Sequence, residues 1–281
     1  MRLAALYNSA SSISGIGCRA HRVIAAGGSL GDSLAMIITS LTNPRVKAAA
    51  ALAHRKHREA AGGLFLLEGE ALVARAVEAG FEVVELWHSE RLPAIPARES
   101  MEVAPAIIGK ITGKDNPQEV VGVLRQRWAE LPAALKGLWL ALDRPRDPGN
   151  LGTIIRTADA VACAGVVLIG EATDPYSPEC VRATSGSIAN LPLVRCTEQA
   201  FVAWAAGREV VGTAGSATLD YRQAKVGTDA VVLLGSESDG LTPGLTAACA
   251  RLVRIPMWGR TESLNLAVST GVMLYEVRRG R

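Results

Sequence analysis

The chain has 281 residues, with 30 Lys or Arg and 27 Asp or Glu, so its formal net charge is +3. Hydrophobic residues make up 49% of the sequence, which is enough to fill the cores of two modest domains and excludes wholesale disorder. No uncharged apolar run approaches the ~18 residues that a membrane span needs. We therefore expect a soluble globular protein.

The five cysteines are widely spaced and form no Cys-x-x-Cys pair. An odd number of cysteines without paired spacing argues against a disulfide framework and against a zinc site. It favours a reducing compartment, and we expect a cytoplasmic location. His54 and His57 are three residues apart among basic residues, and we interpret them as part of a basic surface. No metal site is predicted.

Positive charge is concentrated at the start of the chain. Residues 1–60 carry eight basic and two acidic side chains, a local charge of +6, whereas the remainder is near −3. This asymmetry predicts an anionic partner that meets mainly the N-terminal part. A solvated basic helix face would explain the charge equally well.

The first 36 residues are rich in Ser, Gly and Ala and contain no acidic residue before Asp32. An acid-poor segment with arginines can be an organellar transit peptide. Since no amphipathic helix is evident, we favour a disordered tail or a start codon assigned too far upstream.

Regular patterns begin near Ile37 and indicate a small α/β domain over residues 37–128, followed by a linker over 129–136. Apolar spacing after Pro44 predicts a helix, and short β-rich runs bounded by glycine predict strands. The predicted elements of this part are helices over 40–59 and 71–79 and strands over 64–69, 83–87 and 120–124.

The second half, residues 137–281, alternates continuous apolar runs with helical patterns, which predicts an α/β domain with a parallel sheet covered on both faces. The predicted strands cover 138–142, 166–169, 209–213, 231–234 and 252–255, and the predicted helices cover 151–163, 178–188, 245–250 and 263–278. Ligands of such sheets bind at the carboxyl ends of the strands, so the informative residues should directly follow the strands.

The first informative stretch, 143–159, follows the strand at 138–142. Asn150 stands where a helix N-cap is expected, and Gly152, Arg156 and Asp159 share one face of the following helix. The glycine would let a partner approach the backbone beneath the guanidinium of Arg156. A simple cap and a surface ion pair between Arg156 and Asp159 would explain the same residues.

Two further stretches follow the last two strands. Gly235 leaves room beside the backbone, and the carboxylate of Glu237 can orient a polar group or accept a proton. After Pro256, a polar loop leads into an apolar helix, for which Ser263 is the expected N-cap. Asn265, placed inside that helix, is not explained by helix propensity.

The order of these three stretches resembles motifs 1, 2 and 3 of the SpoU (TrmH) family of RNA ribose 2′-O-methyltransferases, within the SPOUT superfamily. The resemblance covers about residues 137–281. Residues 39–47 and 65–69 resemble the N-terminal substrate-binding domain of members that act on ribosomal RNA. The matching patterns are Asn150-x-Gly152-x-x-x-Arg156, Gly235-x-Glu237-x-x-Gly240, and Ile255-Pro256-Met257 with Ser263-Leu264-Asn265.

The resemblance implies a deep trefoil knot in the C-terminal domain, whose loops form an S-adenosyl-L-methionine pocket that is completed in a homodimer through that domain. The cofactor-binding residues that it implies are Thr213, Ala214, Gly215, Gly235, Ile255, Met257 and Leu264. The catalytic residues that it implies around the ribose are Asn150, Arg156, Glu237, Ser263 and Asn265.

Methyl transfer from a sulfonium needs a ribose hydroxyl that is aligned with the methyl group and loses its proton, and it needs no metal. Because a guanidinium keeps its proton at neutral pH, we expect Arg156 to hold a neighbouring RNA phosphate and to stabilise the developing alkoxide. Glu237 is then the expected proton acceptor. The basic residues expected to bind RNA are Arg45, Lys47, Arg55, Lys56 and Arg58.

The N-terminal domain favours 23S-type ribosomal RNA as the substrate, with transfer RNA as the alternative. A non-catalytic RNA-binding protein of ribosome assembly is a second alternative, against which the presence of all five catalytic residues argues. A nucleotide-dependent dehydrogenase ranks last, because no glycine-rich dinucleotide turn follows a strand. Aromatic residues make up 4% of the chain, which gives little sign of an extensive base-stacking surface.

Overall fold

The computed structural model describes residues 20–22 and 34–279. The chain divides into two compact units, one reaching to Gln126 together with Tyr176–Pro178, the other comprising Arg127–Pro175 and the chain from Glu179 onward. Ala20–Arg22 (β1) and Leu34–Met36 (β2) pair antiparallel. The remaining residues up to 33, on which the expectation of a tail, a transit peptide or a misplaced start mainly falls, lie outside the described residues.

The N-terminal unit contains a four-stranded sheet in the order β3-β6-β4-β5, in which β6 is antiparallel to both of its neighbours. Helices pack against the sheet, and Trp87, Ile107 and Leu52 are in its core. The strands are Leu64–Glu68 (β3), Val83–His88 (β4), Glu99–Glu102 (β5) and Val120–Arg125 (β6), and the helices are Pro44–Ala51 (α1), Arg55–Ala60 (α2), Glu70–Glu78 (α3) and Pro105–Thr112 (α4).

The helix predicted over 40–59 is two helices with a break between them. The N-cap of α1 is Asn43, whose side chain accepts a hydrogen bond from the N–H of Arg45 at 2.9 Å, and the helix ends at Ala51. At the break, the guanidinium of Arg58 donates to the carbonyls of Leu52 and Ala53 at 2.7 and 2.9 Å. A buried arginine thus satisfies carbonyls that the end of a helix leaves without a partner.

The C-terminal unit contains a seven-stranded sheet in the order β11-β13-β10-β12-β7-β8-β9, and every neighbouring pair is parallel. The strands are Leu138–Asp143 (β7), Gly165–Ile169 (β8), Leu193–Cys196 (β9), Val210–Thr213 (β10), Leu219–Asp220 (β11), Ala230–Leu234 (β12) and Arg251–Arg254 (β13). The helices are Pro148–Ala160 (α5), Pro178–Thr184 (α6), Glu198–Ala205 (α7), Pro243–Ala248 (α8) and Leu266–Arg278 (α9).

The predicted parallel sheet is confirmed, and its five predicted strands are all present. The strands β9 and β11 and the helix α7 are not among the predicted elements; β11 has two residues, too few to give a pattern. The trefoil knot stays a prediction. Within the described part of the chain, no helix is both long and apolar enough to cross a membrane.

The segment 129–136, predicted as a linker, is packed onto the C-terminal unit. The N–H of Ala129 donates to the carbonyl of Leu193 at 2.8 Å, and the indole of Trp204 donates to the carbonyl of Pro132 at 2.7 Å. Leu131 and Leu135 pack against the core of the sheet. Burial of these leucines against the sheet fixes the segment to the unit. The composition of the segment does not predict this contact.

Candidate active site

The predicted catalytic and cofactor-binding residues all lie after strands that are neighbours in the sheet. In the order β13-β10-β12-β7, each strand ends at the same edge, because the four strands are parallel. Thr213, Ala214 and Gly215 lie at the end of β10, Gly235 and Glu237 follow β12, and the segment 255–265 follows β13. Helix α5, with Asn150 and Arg156, begins after β7. The topology therefore brings the three stretches to one edge of the sheet, where ligands of such folds bind.

Asn150 lies in the first turn of α5 and is not its N-cap. The N-cap is Asp147, whose carboxylate accepts a hydrogen bond from the N–H of Asn150 at 2.6 Å. Since the cap is already provided, the side chain of Asn150 is available for a distant contact: its Oδ1 accepts a hydrogen bond from Nδ2 of Asn265 at 3.0 Å.

Asn265 is the N-cap of α9, which corrects the expectation that Ser263 caps this helix. Its Oδ1 accepts from the N–H groups of Ala267 and Val268 at 2.8 and 3.3 Å, while its Nδ2 reaches Asn150. Ser263 is exposed, and its carbonyl accepts a hydrogen bond from the hydroxyl of Thr261 at 3.0 Å. The unexplained asparagine of the sequence is thus a cap that also ties α9 to α5, helices that pack together.

Arg156 is exposed, and its Nη1 donates to Oγ of Ser185 at 3.2 Å. Ser185 has a φ of 50°, in the left-handed region that non-glycine residues rarely adopt and that concentrates at functional sites. Asp159 instead accepts a hydrogen bond from Nδ2 of Asn190 at 2.7 Å, so the surface ion pair between Arg156 and Asp159 is not formed. Sequence reasoning did not assign a role to Ser185.

Gly152 provides space for a neighbouring helix and not for a ligand. A Cβ at this position would lie 2.5 Å from both the Cβ of Ala183 and the carbonyl oxygen of Cys180, which belong to α6. The group that approaches the backbone at Gly152, beneath Arg156, is therefore helix α6. The close helix packing places Ser185, just beyond the end of α6, beside Arg156.

The loop after β12 is closed tightly on Gly235. A Cβ there would overlap the carbonyl carbon of Gly240 and would lie 2.6 Å from its Cα. The backbones of Ser236 and Gly240 exchange two hydrogen bonds of 3.2 Å, and Oγ of Ser236 accepts from the N–H of Asp239 at 3.2 Å. Glu237 is exposed in this loop, and the described residues include no hydrogen-bond or ion-pair partner for it. Its carboxylate is therefore available to a substrate.

Charged side chains link the loop after β12 to the loop after β7. Asp143 is 1% exposed and accepts two hydrogen bonds from Arg144, at 2.8 and 3.0 Å, which raise the pKa of that guanidinium. The carboxylate of Asp239 lies 3.6 Å from Arg146 and 4.0 Å from Arg144. These residues were not singled out in the sequence, although two arginines beside the first motif were a visible signal.

The residues expected to bind the cofactor line the same edge of the sheet. The N–H of Ala214 donates to the carbonyl of Val253 at 2.9 Å, and a Cβ at Gly215 would meet no atom within 4 Å. Three apolar side chains of the third stretch, Ile255, Met257 and Leu264, are half-buried. A cavity of about 480 Å³ between α7 and α8 is lined by none of the predicted site residues. In the part of the chain described, no group of three or more potential metal ligands occurs.

The five basic residues expected to bind RNA are in different environments. Lys47, Arg55 and Lys56 are exposed, and Arg55 forms an ion pair of 2.9 Å with Glu59. Arg58, in contrast, is 2% exposed and holds the break between α1 and α2, so its assignment to an RNA-binding surface is corrected.

Arg45 is engaged by two carboxylates. Its Nη2 lies 2.6 Å from Oε1 of Glu85 and 2.6 Å from Oε2 of Glu99. Burial raises the pKa of Glu85, and the hydrogen bond from Arg45 opposes that rise. Because much of its charge is balanced within the unit, Arg45 is less suited to an RNA phosphate than Lys47 or Lys56.

We expect Arg58→Met to lower the free energy of unfolding by about 1–3 kcal/mol, because two carbonyls at the break lose their donor. Lys56→Met, the matched loss of one exposed charge, should change it by less than about 0.5 kcal/mol. Urea denaturation of the two variants beside the unmodified protein measures the difference. Equal stability of the two variants would contradict the structural role given to Arg58.

Two family sequence models match the chain in separate regions. The SpoU rRNA Methylase family matches residues 137–275, and the MRM3-like substrate binding domain matches residues 43–122. The first region covers the seven-stranded sheet and most of α9, and the second covers most of the N-terminal unit.

Individual relatives match over both units. The chain is 42% identical to an AdoMet-bound rRNA methyltransferase from Sinorhizobium meliloti, whose crystal structure it matches with a TM-score of 0.81 over 87% of this chain and 98% of that one. It is 32% identical to the 23S rRNA (uridine(2479)-2′-O)-methyltransferase of Streptomyces viridochromogenes, over 85% of this chain and 91% of the relative. It is 30% identical to the 23S rRNA (guanosine(2553)-2′-O)-methyltransferase RlmP of Bacillus subtilis, over 86% of this chain and 98% of the relative. The chain belongs to the SpoU rRNA methylase family.

Proposed function

We propose that this protein transfers a methyl group from S-adenosyl-L-methionine to a ribose 2′-hydroxyl of 23S-type ribosomal RNA. The observation that carries the proposal is the meeting of the three stretches at one edge of a parallel sheet, where the hydrogen bond between Asn150 and Asn265 joins the first stretch to the third. The relatives support the substrate, since two of them are 23S rRNA 2′-O-methyltransferases and both match this chain over its two units.

The residues at the edge of the sheet fit S-adenosyl-L-methionine. Open space at Gly215 lets a ligand approach the backbone, and the half-buried Ile255, Met257 and Leu264 offer apolar contact that excludes water. When bound, this cofactor supplies an electrophilic methyl group on a sulfonium. The S. meliloti relative, named as AdoMet-bound, supports the assignment.

Residues of the chain itself orient the ribose hydroxyl and accept its proton. Arg156 holds an RNA phosphate and stabilises the developing alkoxide, since the fork of a guanidinium suits a phosphate and keeps its charge. Glu237 accepts the proton, because its carboxylate is exposed and carries no other partner in the described structure. Asn150 and Asn265 fix the starts of α5 and α9 relative to each other, and Ser263 presents its hydroxyl to the ribose.

The test is transfer of label from S-adenosyl-L-methionine to purified RNA, with ribose methylation mapped by nuclease-resistant dinucleotides and Arg156→Ala assayed beside the unmodified protein. We expect label in 23S rRNA or in partly assembled large-subunit particles, lost in the variant. Label confined to transfer RNA would favour the transfer RNA alternative. Cofactor and RNA binding without transfer to any of these would favour the non-catalytic assembly protein.

We also propose that the protein is a homodimer through its C-terminal domain. Helix α9 carries Val268, Val272 and Tyr275 along one face, and Val268 and Tyr275 are 51% and 61% exposed. Such an apolar stripe on a helix is typical of a protein–protein interface.

We further propose a cytoplasmic location. It is supported by the four described cysteines, all of which are free thiols, because a reducing compartment keeps thiols unpaired.

The double variant Val268→Glu/Tyr275→Glu is expected to sediment as a monomer, because charge on this face opposes its burial. Analytical ultracentrifugation measures the change. Leu92→Glu, which alters an exposed leucine of the N-terminal unit, is the control and should leave the dimer intact. A double variant that remains dimeric would exclude this face as the interface.

A further inference from the structure

Trp258 exposes an indole on the loop that joins the predicted cofactor and catalytic residues. Its side chain is 82% exposed, more than any other large apolar side chain in the described part of the chain. It directly follows Met257 and is five residues before Ser263. The exposed indole offers a flat face on which a planar ligand can stack.

A cation lies beside the ring. The guanidinium of Arg222 lies 5.7 Å from the centre of the Trp258 ring, within the range of a cation–π contact. Asp220 accepts two hydrogen bonds from Arg222, of 2.9 and 2.6 Å, and they lower the pKa of the Asp220 carboxyl to about 2. The pair therefore stays ionised at neutral pH, so the guanidinium beside Trp258 keeps its charge and is oriented by Asp220.

The charges near this ring suit an anionic polymer. Arg254, at the end of β13, and Arg260, two residues after Trp258, are exposed and form no salt bridge within the described residues. These two cations outnumber the one carboxylate of the loop, that of Glu262. A nucleobase that carries a sugar-phosphate backbone matches both the flat ring and this charge.

We infer that Trp258 stacks on an unpaired base of the RNA substrate, beside the nucleotide whose ribose is methylated. The inference rests on the proposed function, which places the reacting ribose at Ser263 in the same loop. Stacking on an aromatic side chain tolerates any base, so this contact contributes affinity and orientation and leaves sequence selection to other residues.

The experiment compares Trp258→Ala and Trp258→Phe with the unmodified full-length protein, using a 23S rRNA transcript and S-adenosyl-L-methionine. Trp258→Ala should raise the RNA Kd and the KM for RNA about tenfold, equivalent to ~1.4 kcal/mol. Trp258→Phe should recover most of the loss, because it keeps a ring. The KM for S-adenosyl-L-methionine should stay within about twofold, and the salt dependence of RNA binding should not change, since no cation is removed.

Each outcome bears on one claim. Leu92→Ala, which removes an exposed apolar side chain of the N-terminal unit, controls for non-specific effects. An active Trp258→Ala enzyme with an unchanged KM for RNA would overturn the stacking inference and leave the proposed function standing. Dissociation of the dimer by Trp258→Ala would also overturn it, by assigning the ring to a subunit interface. Failure of the unmodified protein to methylate any RNA would overturn the proposed function itself.

Discussion

Arg156→Ala is expected to lower kcat for methyl transfer by about 10²–10³-fold, the range found when one preorganised donor to a developing negative charge is removed. Arg156→Lys keeps the charge but lacks the planar fork, so it should remain at least about tenfold below the unmodified enzyme. Single-turnover methylation of 23S rRNA with saturating cofactor measures both variants. Nearly full turnover by Arg156→Lys would contradict a bidentate grip on phosphate.

The controls for this prediction separate the site from the fold. Because Arg156 is exposed, its loss should leave thermal stability and cofactor binding by calorimetry unchanged. Lys136→Ala removes an equal charge at the opposite edge of the sheet, before β7 begins, and should keep full turnover. Ser185→Ala removes one hydrogen bond of 3.2 Å to Arg156 and should lower kcat only a few-fold.

Gly235→Ala is expected to lower the free energy of unfolding by about 1–3 kcal/mol and to abolish cofactor binding. The added Cβ would overlap the backbone of Gly240 and Leu241, and backbone atoms cannot move aside as the end of a side chain can. The loop that carries Glu237 must then open, and the predicted pocket edge is displaced with it. Thermal unfolding and calorimetric titration with S-adenosyl-L-methionine measure the two effects.

Gly215→Ala is the matched stability control, because its Cβ would meet no atom within 4 Å. It should change the free energy of unfolding by less than about 0.5 kcal/mol. If Gly235→Ala proved as stable as Gly215→Ala, the closed loop after β12 would not be the conformation of the protein in solution.

The helix caps show where prediction from the sequence stopped. Ser263 and Asn265 are both good cap residues before the same apolar run, and Asp147 and Asn150 present the same ambiguity before α5. Which residue caps each helix is decided by contacts between distant segments, and a local sequence pattern does not contain them. Asn265 caps α9 while bonding to Asn150, a residue 115 positions earlier.

Arg58 and Lys56 show that neighbouring basic residues in a sequence can have different roles in the structure. Both belong to one basic stretch and were assigned the same role, yet Arg58 is buried at the break between α1 and α2, while Lys56 is exposed. The guanidinium of Arg58 donates hydrogen bonds to two carbonyls, and a count of local charges does not predict these bonds.

The sequence by itself determined the α/β class, the parallel sheet and the order of the three motifs along the chain. Those features follow from apolar periodicity and from residue spacing, both of which are local. Only the tertiary structure decided that Gly152 accommodates a helix, that Arg156 bonds to Ser185 and that Trp258 lies beside Arg222. These three features depend on contacts between segments that are distant in the chain. Such contacts are fixed by how the elements pack in the folded unit.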